Sequence, residues 1–295
     1  MKRYYLLINP KGGHKKGLEI FEKVEPVFLD SNVDLTVLHT EYAGHAFDYA
    51  NSLEFENYDG LCAIGGDGTM YEMINGMLNR EDEQTIPIGL VTGGTGNSFM
   101  YDVNCLDPVE AAKRIVRHNL RPLDIAKVDA NGKIFYAFNI IGWGLATDAG
   151  KLAEKLRWLG GIRYDVASII EVLKGKNRIA SLTIDNKTIK ENFIFIIACN
   201  TIHTGKAMKM APLAKLDDGK IDLIIVRKTS KVKLLKLFPK LFSGDHIKSP
   251  LVEYKQVKNF SITIEDENDL TIDGEIIGKT PLHVEMLPKL LNVLV

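Results

Sequence analysis

Cysteine is scarce in this chain, net charge is almost absent, and no long apolar run occurs. The three cysteines, Cys62, Cys105 and Cys199, are spread over 295 residues. Odd in number and far apart, they make no disulfide framework, and Cys62 and Cys199 lie in apolar runs as buried thiols of a reducing compartment would. Lysine plus arginine (37) and aspartate plus glutamate (38) leave a net charge of −1, which argues against a nucleic-acid binder held by bulk electrostatics. No uncharged stretch reaches the roughly 18 residues that a membrane helix needs. The apolar run at the N-terminus is too brief for a signal peptide and ends in a glycine turn. His14, His45, His203 and His283 show no metal-ligand spacing. These absences leave a cytoplasmic globular protein as the expectation. A composition of 45% hydrophobic and 25% charged residues agrees, and the length suggests about two domains.

Up to residue 122, short apolar runs alternate with longer amphipathic ones. Strands are expected at 4–8, 35–39, 60–64 and 86–91, and helices at 17–29, 43–53, 69–79 and 108–117. Such alternation implies βαβ units and a parallel sheet. Beyond Pro122 strands dominate, at 125–128, 135–141, 179–184, 192–199, 221–227, 260–264, 270–272 and 282–285, with helices only at 148–173 and 231–242. The fold class is therefore α/β plus β. A Rossmann-like α/β domain is expected over 1–122 and an antiparallel β-sandwich over 123–295, its last strand free to pack back on the first domain.

The most informative stretch is Ala63-Ile64-Gly65-Gly66-Asp67-Gly68-Thr69-Met70-Tyr71-Glu72. Glycines let a backbone turn sharply and approach a ligand without a Cβ in the way. The helix start that follows presents free N–H groups that favour anions. Asp67 adds a carboxylate to a site otherwise suited to phosphate, and like charges there call for a metal ion or a proton to transfer. Two further loops, Asn9-Pro10-Lys11-Gly12-Gly13 and Thr92-Gly93-Gly94-Thr95-Gly96-Asn97, also follow expected strands. In a parallel sheet all three fall at the carboxyl ends, where ligands bind. The 92–97 loop differs from a P-loop, which needs a lysine before its final Ser/Thr, and neither glycine loop of the first domain has dinucleotide-fingerprint spacing. Late in the chain, Thr271-Ile272-Asp273-Gly274-Glu275 reads either as a hairpin turn or as a source of a general base, Asp273 or Glu275, for an attacking hydroxyl. Together these features point to phosphoryl transfer, which rests mainly on alignment and charge stabilisation.

The glycine run at 65–69, the Gly94-Thr95-Gly96-Asn97 loop and Asp273-Gly274-Glu275, in this order, resemble the lipid kinase family of diacylglycerol, sphingosine and ceramide kinases. The resemblance spans nearly the whole chain. It implies that an α/β domain and a β-sandwich enclose ATP. It implies that Asn9, Thr40, Gly65, Gly66, Asp67, Gly68, Thr69, Glu72 and Thr95 contact the nucleotide. Asp67 and Asp124 would help organise Mg2+, and Asp273 and Glu275 would lie near the transferred phosphate. Relatives differ on whether the glycine-loop aspartate or the late acidic pair is the base; Glu275 is preferred here. The stretch 215–220 is similar to one that holds a structural magnesium in bacterial members. The implied ligands are the Asp218 side chain and the Lys215 and Lys220 carbonyls, a donor set that hard cations accept.

Residues 142–164 are similar to the sphingosine and ceramide kinase branch, which implies that Arg157 and Arg163 reach the ATP phosphates. Arginine suits this through its planar, bidentate fork. One departure stands out. Sphingosine kinases carry an aspartate for the lipid amine two residues beyond the position of Asp148, where this chain has Gly150. A neutral lipid such as ceramide or diacylglycerol stays in play, with Asp148 orienting its hydroxyl. The lysine-rich stretch 231–240 is read as a helix packed on the sandwich, with a membrane-facing role as the alternative. The expectation is an ATP-dependent lipid kinase working at a membrane surface, with homodimerisation open. An NAD kinase and a catalytically inactive nucleotide- or lipid-binding regulator are its rivals.

Overall fold

The computed structural model describes residues 1–10, 16–94, 96–205 and 207–295, with only the backbone at positions 157, 161 and 165. Contacts divide the chain into two units. The first comprises Met1–Ile125, Gly205–Ala207 and Pro288–Val295, and the second Ala126–Thr204 and Met208–Leu287.

In the first unit the Lys2–Ile8 strand lies between Val33–His39 and Gly60–Gly65, and Ile88–Thr92 pairs with the latter, all parallel. Gly60–Gly65 and Ile88–Thr92 are buried at every position. That is why these strands read as unbroken apolar runs rather than alternating ones. The helices Gly17–Asp30 and Pro108–Arg117 pack together, as do His45–Ser52 and Asp67–Leu78. Asp107 caps the Pro108–Arg117 helix by accepting the Glu110 N–H, with proline at the helix start.

The second unit is antiparallel. Its strands follow the order Glu275–Lys279, Asp269–Ile272, Ile140–Gly144, Lys187–Cys199, Ile221–Arg227 and Val252–Val257. The N-terminal half of the long Lys187–Cys199 strand pairs instead with Ile179–Ile184, which pairs in turn with Asn259–Thr263. Alternating burial along Ile179–Ile184 marks one covered and one wet face. Val172, Leu234 and Leu237 from two helices close one core over Ile194, Ile197, Ile224 and Val226. Burying each such side chain is worth about 1.5–3 kcal/mol.

Several expected elements change. The segment 135–141 is two strands, Lys133–Ala137 and Ile140–Gly144. The segment 148–173 is the helix Leu145–Lys155, a 3-10 turn Arg157–Ile162 with Gly160 at φ +57°, and the helix Arg163–Lys174. Residues 231–242 break at Pro239 into Lys231–Leu237 and Lys240–Ser243. The strands Val252–Val257 and Glu275–Lys279 were not anticipated. No described helix is long and apolar enough to cross a membrane.

Candidate functional site

In the first unit the parallel strands end side by side. Ile8 stands opposite His39 and Ile64, and Gly65 opposite Thr92. Hydrogen bonds extend that register beyond the strands: Thr40 N–H donates to the Ile8 carbonyl at 2.9 Å and Gly93 N–H to the Gly65 carbonyl at 2.8 Å. Asn9, Thr40, Gly66 and Gly93 thus share one edge of the sheet. Two glycine loops meet there without side chains between them. A Cβ on Gly94 would lie 2.5 Å from the Gly66 Cα, and a Cβ on Gly65 would lie 2.6 Å from Thr69 Oγ1. The helix Asp67–Leu78 starts at this contact, and its first amides have no partners within the helix.

The acids of this unit are tied to backbone. Asp67 accepts the Ser98 N–H at 2.7 Å and the Phe99 N–H at 3.2 Å, one on each carboxylate oxygen. It thereby caps the short Ser98–Asp102 helix that ends the second glycine loop. Glu72, one turn further along its helix, accepts the Gly44 N–H at 2.9 Å and the Ala46 N–H at 3.2 Å. Asp124 is fully buried and accepts the Lys289 N–H at 2.6 Å. Asn97, which the sequence did not single out, has φ +51° and donates to the Gly94 carbonyl at 2.8 Å, holding the loop closed. Thr95 and residues 11–13 lie outside the described residues.

In the second unit Asp273 sits in the Asp-Gly turn between Asp269–Ile272 and Glu275–Lys279, with φ +49° and Gly274 at +94°. The carboxylate is buried and accepts three backbone amides, from Phe138 at 2.9 Å, Asn139 at 2.9 Å and Ile140 at 2.8 Å. This clamp sits where the expected 135–141 strand breaks in two. A carboxylate satisfied by three amides is stabilised as the anion and is a poor proton acceptor. The carboxylate thereby fastens this turn to the 138–140 backbone. Glu275 is exposed, and among the described residues its carboxylate has no hydrogen-bond partner.

Asp148 is bound rather than open. Lys176 Nζ lies 2.6 Å from its Oδ2, and Arg178 donates to the same oxygen. Burial alone would raise this carboxyl, but the two cations outweigh it and hold it below the ordinary aspartate range. Nothing in the sequence pattern flagged Lys176 or Arg178. A Cβ at Gly150 would lie 3.2 Å from Ile276 Cδ1, so this side-chain end would have to give by a few tenths of an ångström. Arg163 makes local contacts, 3.4 Å to Glu154 and stacked 4.9 Å from the Tyr164 ring centroid. The Arg157 side chain lies outside the described residues.

Residues 3–128 match the diacylglycerol kinase catalytic domain, and residues 139–295 match the YegS C-terminal NAD kinase beta sandwich-like domain. The chain is 30% identical to sphingosine kinase 1 of Arabidopsis thaliana, over 94% of this chain and 69% of that protein. It is 28% identical to the diacylglycerol kinase of Bacillus subtilis (strain 168), over 95% and 92%. The crystal structure of a diacylglycerol kinase from Bacillus anthracis str. Sterne superposes with a TM-score of 0.82 at 26% identity, covering 99% of this chain and 96% of that one. The chain belongs to the diacylglycerol and sphingosine kinase family. It is a lipid kinase, a phosphotransferase with an alcohol acceptor.

Among the described residues of this lipid kinase, no three His, Cys, Asp or Glu side chains gather as a metal site. The 215–220 turn offers a different donor set, one carboxylate and two carbonyls. It is shaped by Gly219 at φ +72° and by Asp218 accepting the Lys220 N–H at 3.0 Å, and oxygen donors of this kind suit a hard cation. Close by in sequence, Asp222 is fully buried, with Tyr254 OH at 2.5 Å and Gln256 Nε2 at 3.0 Å both on Oδ1. Its Oδ2 accepts no hydrogen bond, and burial raises this carboxyl.

Proposed function

We propose that this lipid kinase transfers the γ-phosphate of ATP to a primary hydroxyl of a neutral membrane lipid, diacylglycerol or a ceramide-type lipid. The observation that carries the nucleotide part is the backbone-to-backbone contact of Gly66 and Gly94 at the ends of parallel strands. It brings two backbones together beside a helix start, an arrangement that suits a polyphosphate. On this reading residues 1–122 form the nucleotide domain and 123–295 the lipid domain. The lipid oxygen forms a bond to the γ-phosphorus, the bond to the β–γ bridging oxygen breaks, and ADP leaves. Glu275 takes the hydroxyl proton; its exposure and lack of partners support this choice over Asp273. Arg157 and Arg163 offset the developing charge. Magnesium, for which Asp67 and Asp124 are the candidate ligands, would neutralise the phosphates when bound, and Asp218 with the Lys215 and Lys220 carbonyls would hold a structural ion.

The preference for a neutral lipid rests on Asp148 and Gly150. The Asp148 charge is already met by Lys176 and Arg178, and position 150 has no carboxylate, so a lipid ammonium would find no free counterion there. Labelled ATP with diacylglycerol, ceramide, sphingosine and NAD as acceptors tests the proposal. Turnover of diacylglycerol or ceramide is expected. Turnover of NAD alone would transfer the assignment to an NAD kinase, which the description of the C-terminal domain keeps in view. ATP binding without any product would indicate an inactive regulator.

A further inference from the structure

Three aromatic rings lie parallel in the first unit, just past the end of the Val33–His39 strand. His45 and Tyr49 stand four residues apart on the His45–Ser52 helix, a spacing that puts them on one face. His45 is stacked between Tyr42 and Tyr49, with ring centroids 4.3 Å and 4.2 Å apart and interplanar angles of 7° and 13°. Hydrogen bonds fix each ring. Tyr42 OH donates to Asp48 Oδ2 at 2.7 Å, and Tyr49 OH donates to the His39 carbonyl at 3.3 Å. His45 Nδ1 accepts the Glu41 N–H at 3.1 Å. Glu72 accepts the Gly44 and Ala46 amides, so the loop that carries Tyr42 is tied to the helix that starts at the glycine contact.

The stack ends in solvent. Tyr42 is 55% exposed, and among the described residues no ring other than His45 stacks on it. A ring pinned at its hydroxyl and backed by a second ring presents a flat face at a set angle, and little freedom is lost when a planar partner lies on it. Its place in the sheet decides the partner. Tyr42 follows Thr40 by two residues, and Thr40 shares the sheet edge with Asn9, Gly66 and Gly93. Two strand spacings separate the end of Val33–His39 from the end of Gly60–Gly65, roughly 10 Å at about 4.8 Å each. That span is comparable with the reach of a nucleotide from its base to its outer phosphates. The glycine contact suits the phosphates, and Tyr42 supplies a π face for the base at the other side of the same edge.

We infer that the exposed face of Tyr42 stacks on the purine ring of the bound nucleotide and sets a preference for purine over pyrimidine triphosphates. The inference rests on the nucleotide edge proposed above and adds the residue that holds the base. Titration calorimetry of the full chain with ATP, CTP and inorganic tripolyphosphate, each with magnesium chloride, tests it. Wild type is expected to bind ATP more tightly than CTP, whose single ring stacks over less area, and tripolyphosphate most weakly. Y42A should bind ATP about tenfold to a hundredfold more weakly, lose less for CTP, and bind tripolyphosphate as wild type does. Y42F keeps the π face and should bind ATP nearly as wild type does. Y42L covers His45 without a π face and should not restore ATP binding. Wild-type ATP affinity in Y42A or Y42L would overturn the assignment. So would equal losses for ATP and tripolyphosphate, which would mark a loop that shapes the phosphate site instead of holding a base. Wild type that binds ATP no better than tripolyphosphate would overturn the base contact and leave the phosphate edge standing. Wild type that binds none of the three would sink the nucleotide reading itself, and the stacking role with it.

Discussion

Asp273 and Ile140 exchange hydrogen bonds in both directions. The Ile140 N–H donates to the Asp273 carboxylate at 2.8 Å, and the Asp273 N–H donates to the Ile140 carbonyl at 2.8 Å. With the Phe138 and Asn139 amides on the same carboxylate, this pair fastens the 269–279 hairpin to the strand Ile140–Gly144.

The two acids of the Asp-Gly-Glu stretch should therefore separate on substitution. D273N places an NH2 group against backbone donors, so it is expected to cost about 2–4 kcal/mol of stability and lower the thermal midpoint by several degrees. E275Q should leave the midpoint unchanged and reduce kcat by roughly a hundredfold or more. An unchanged midpoint in D273N, or full activity in E275Q, would contradict these roles.

At the glycine contact, G94A must displace backbone, because the nearest atom to the added Cβ is the Gly66 Cα at 2.5 Å. Misplaced loops should lower kcat/KM for ATP by about tenfold to a hundredfold, with a smaller loss of stability. Titration calorimetry with ATP reads the binding part directly, and wild-type affinity would show that these loops do not hold the nucleotide.

For Asp67, D67N is expected to abolish turnover while the protein remains folded. The lost charge at the Ser98–Asp102 cap should cost about 1 kcal/mol. Steady-state kinetics beside thermal unfolding separates the two effects, and near-normal kcat would confine Asp67 to capping.

The Asp148 cluster carries a pH dependence. Its folded-state carboxyl lies below the ordinary value of about 3.9. The ion pairs therefore contribute fully above that ordinary value, and the contribution is lost as pH falls through the lower folded value. D148N leaves the largely buried Arg178 guanidinium without its anion, a cost of about 2–3 kcal/mol at neutral pH. The gap in thermal midpoint between wild type and D148N should be widest near pH 7 and close below pH 4, within about the range set by the aspartate reference value. A gap independent of pH would mean that packing, not charge, sets the loss.

Local pattern determined the parallel half of this enzyme and the position of its glycine loops. Strands buried on both faces appear as apolar runs, and glycines mark where backbone must approach backbone, so the close approach of Gly66 and Gly94 was legible at the ends of two strands. Asp273 and Glu275 were equally visible as acids, yet their chemistry diverges because only one faces the Phe138–Ile140 amides, more than 130 residues away in the chain. Likewise Asp148 carried no sign of Lys176 and Arg178, which lie about thirty residues along the chain. Sequence determines which groups can ionise, turn or bury; tertiary structure decides which are satisfied, since a hydrogen bond or ion pair depends on distances of a few ångströms that chain separation does not encode.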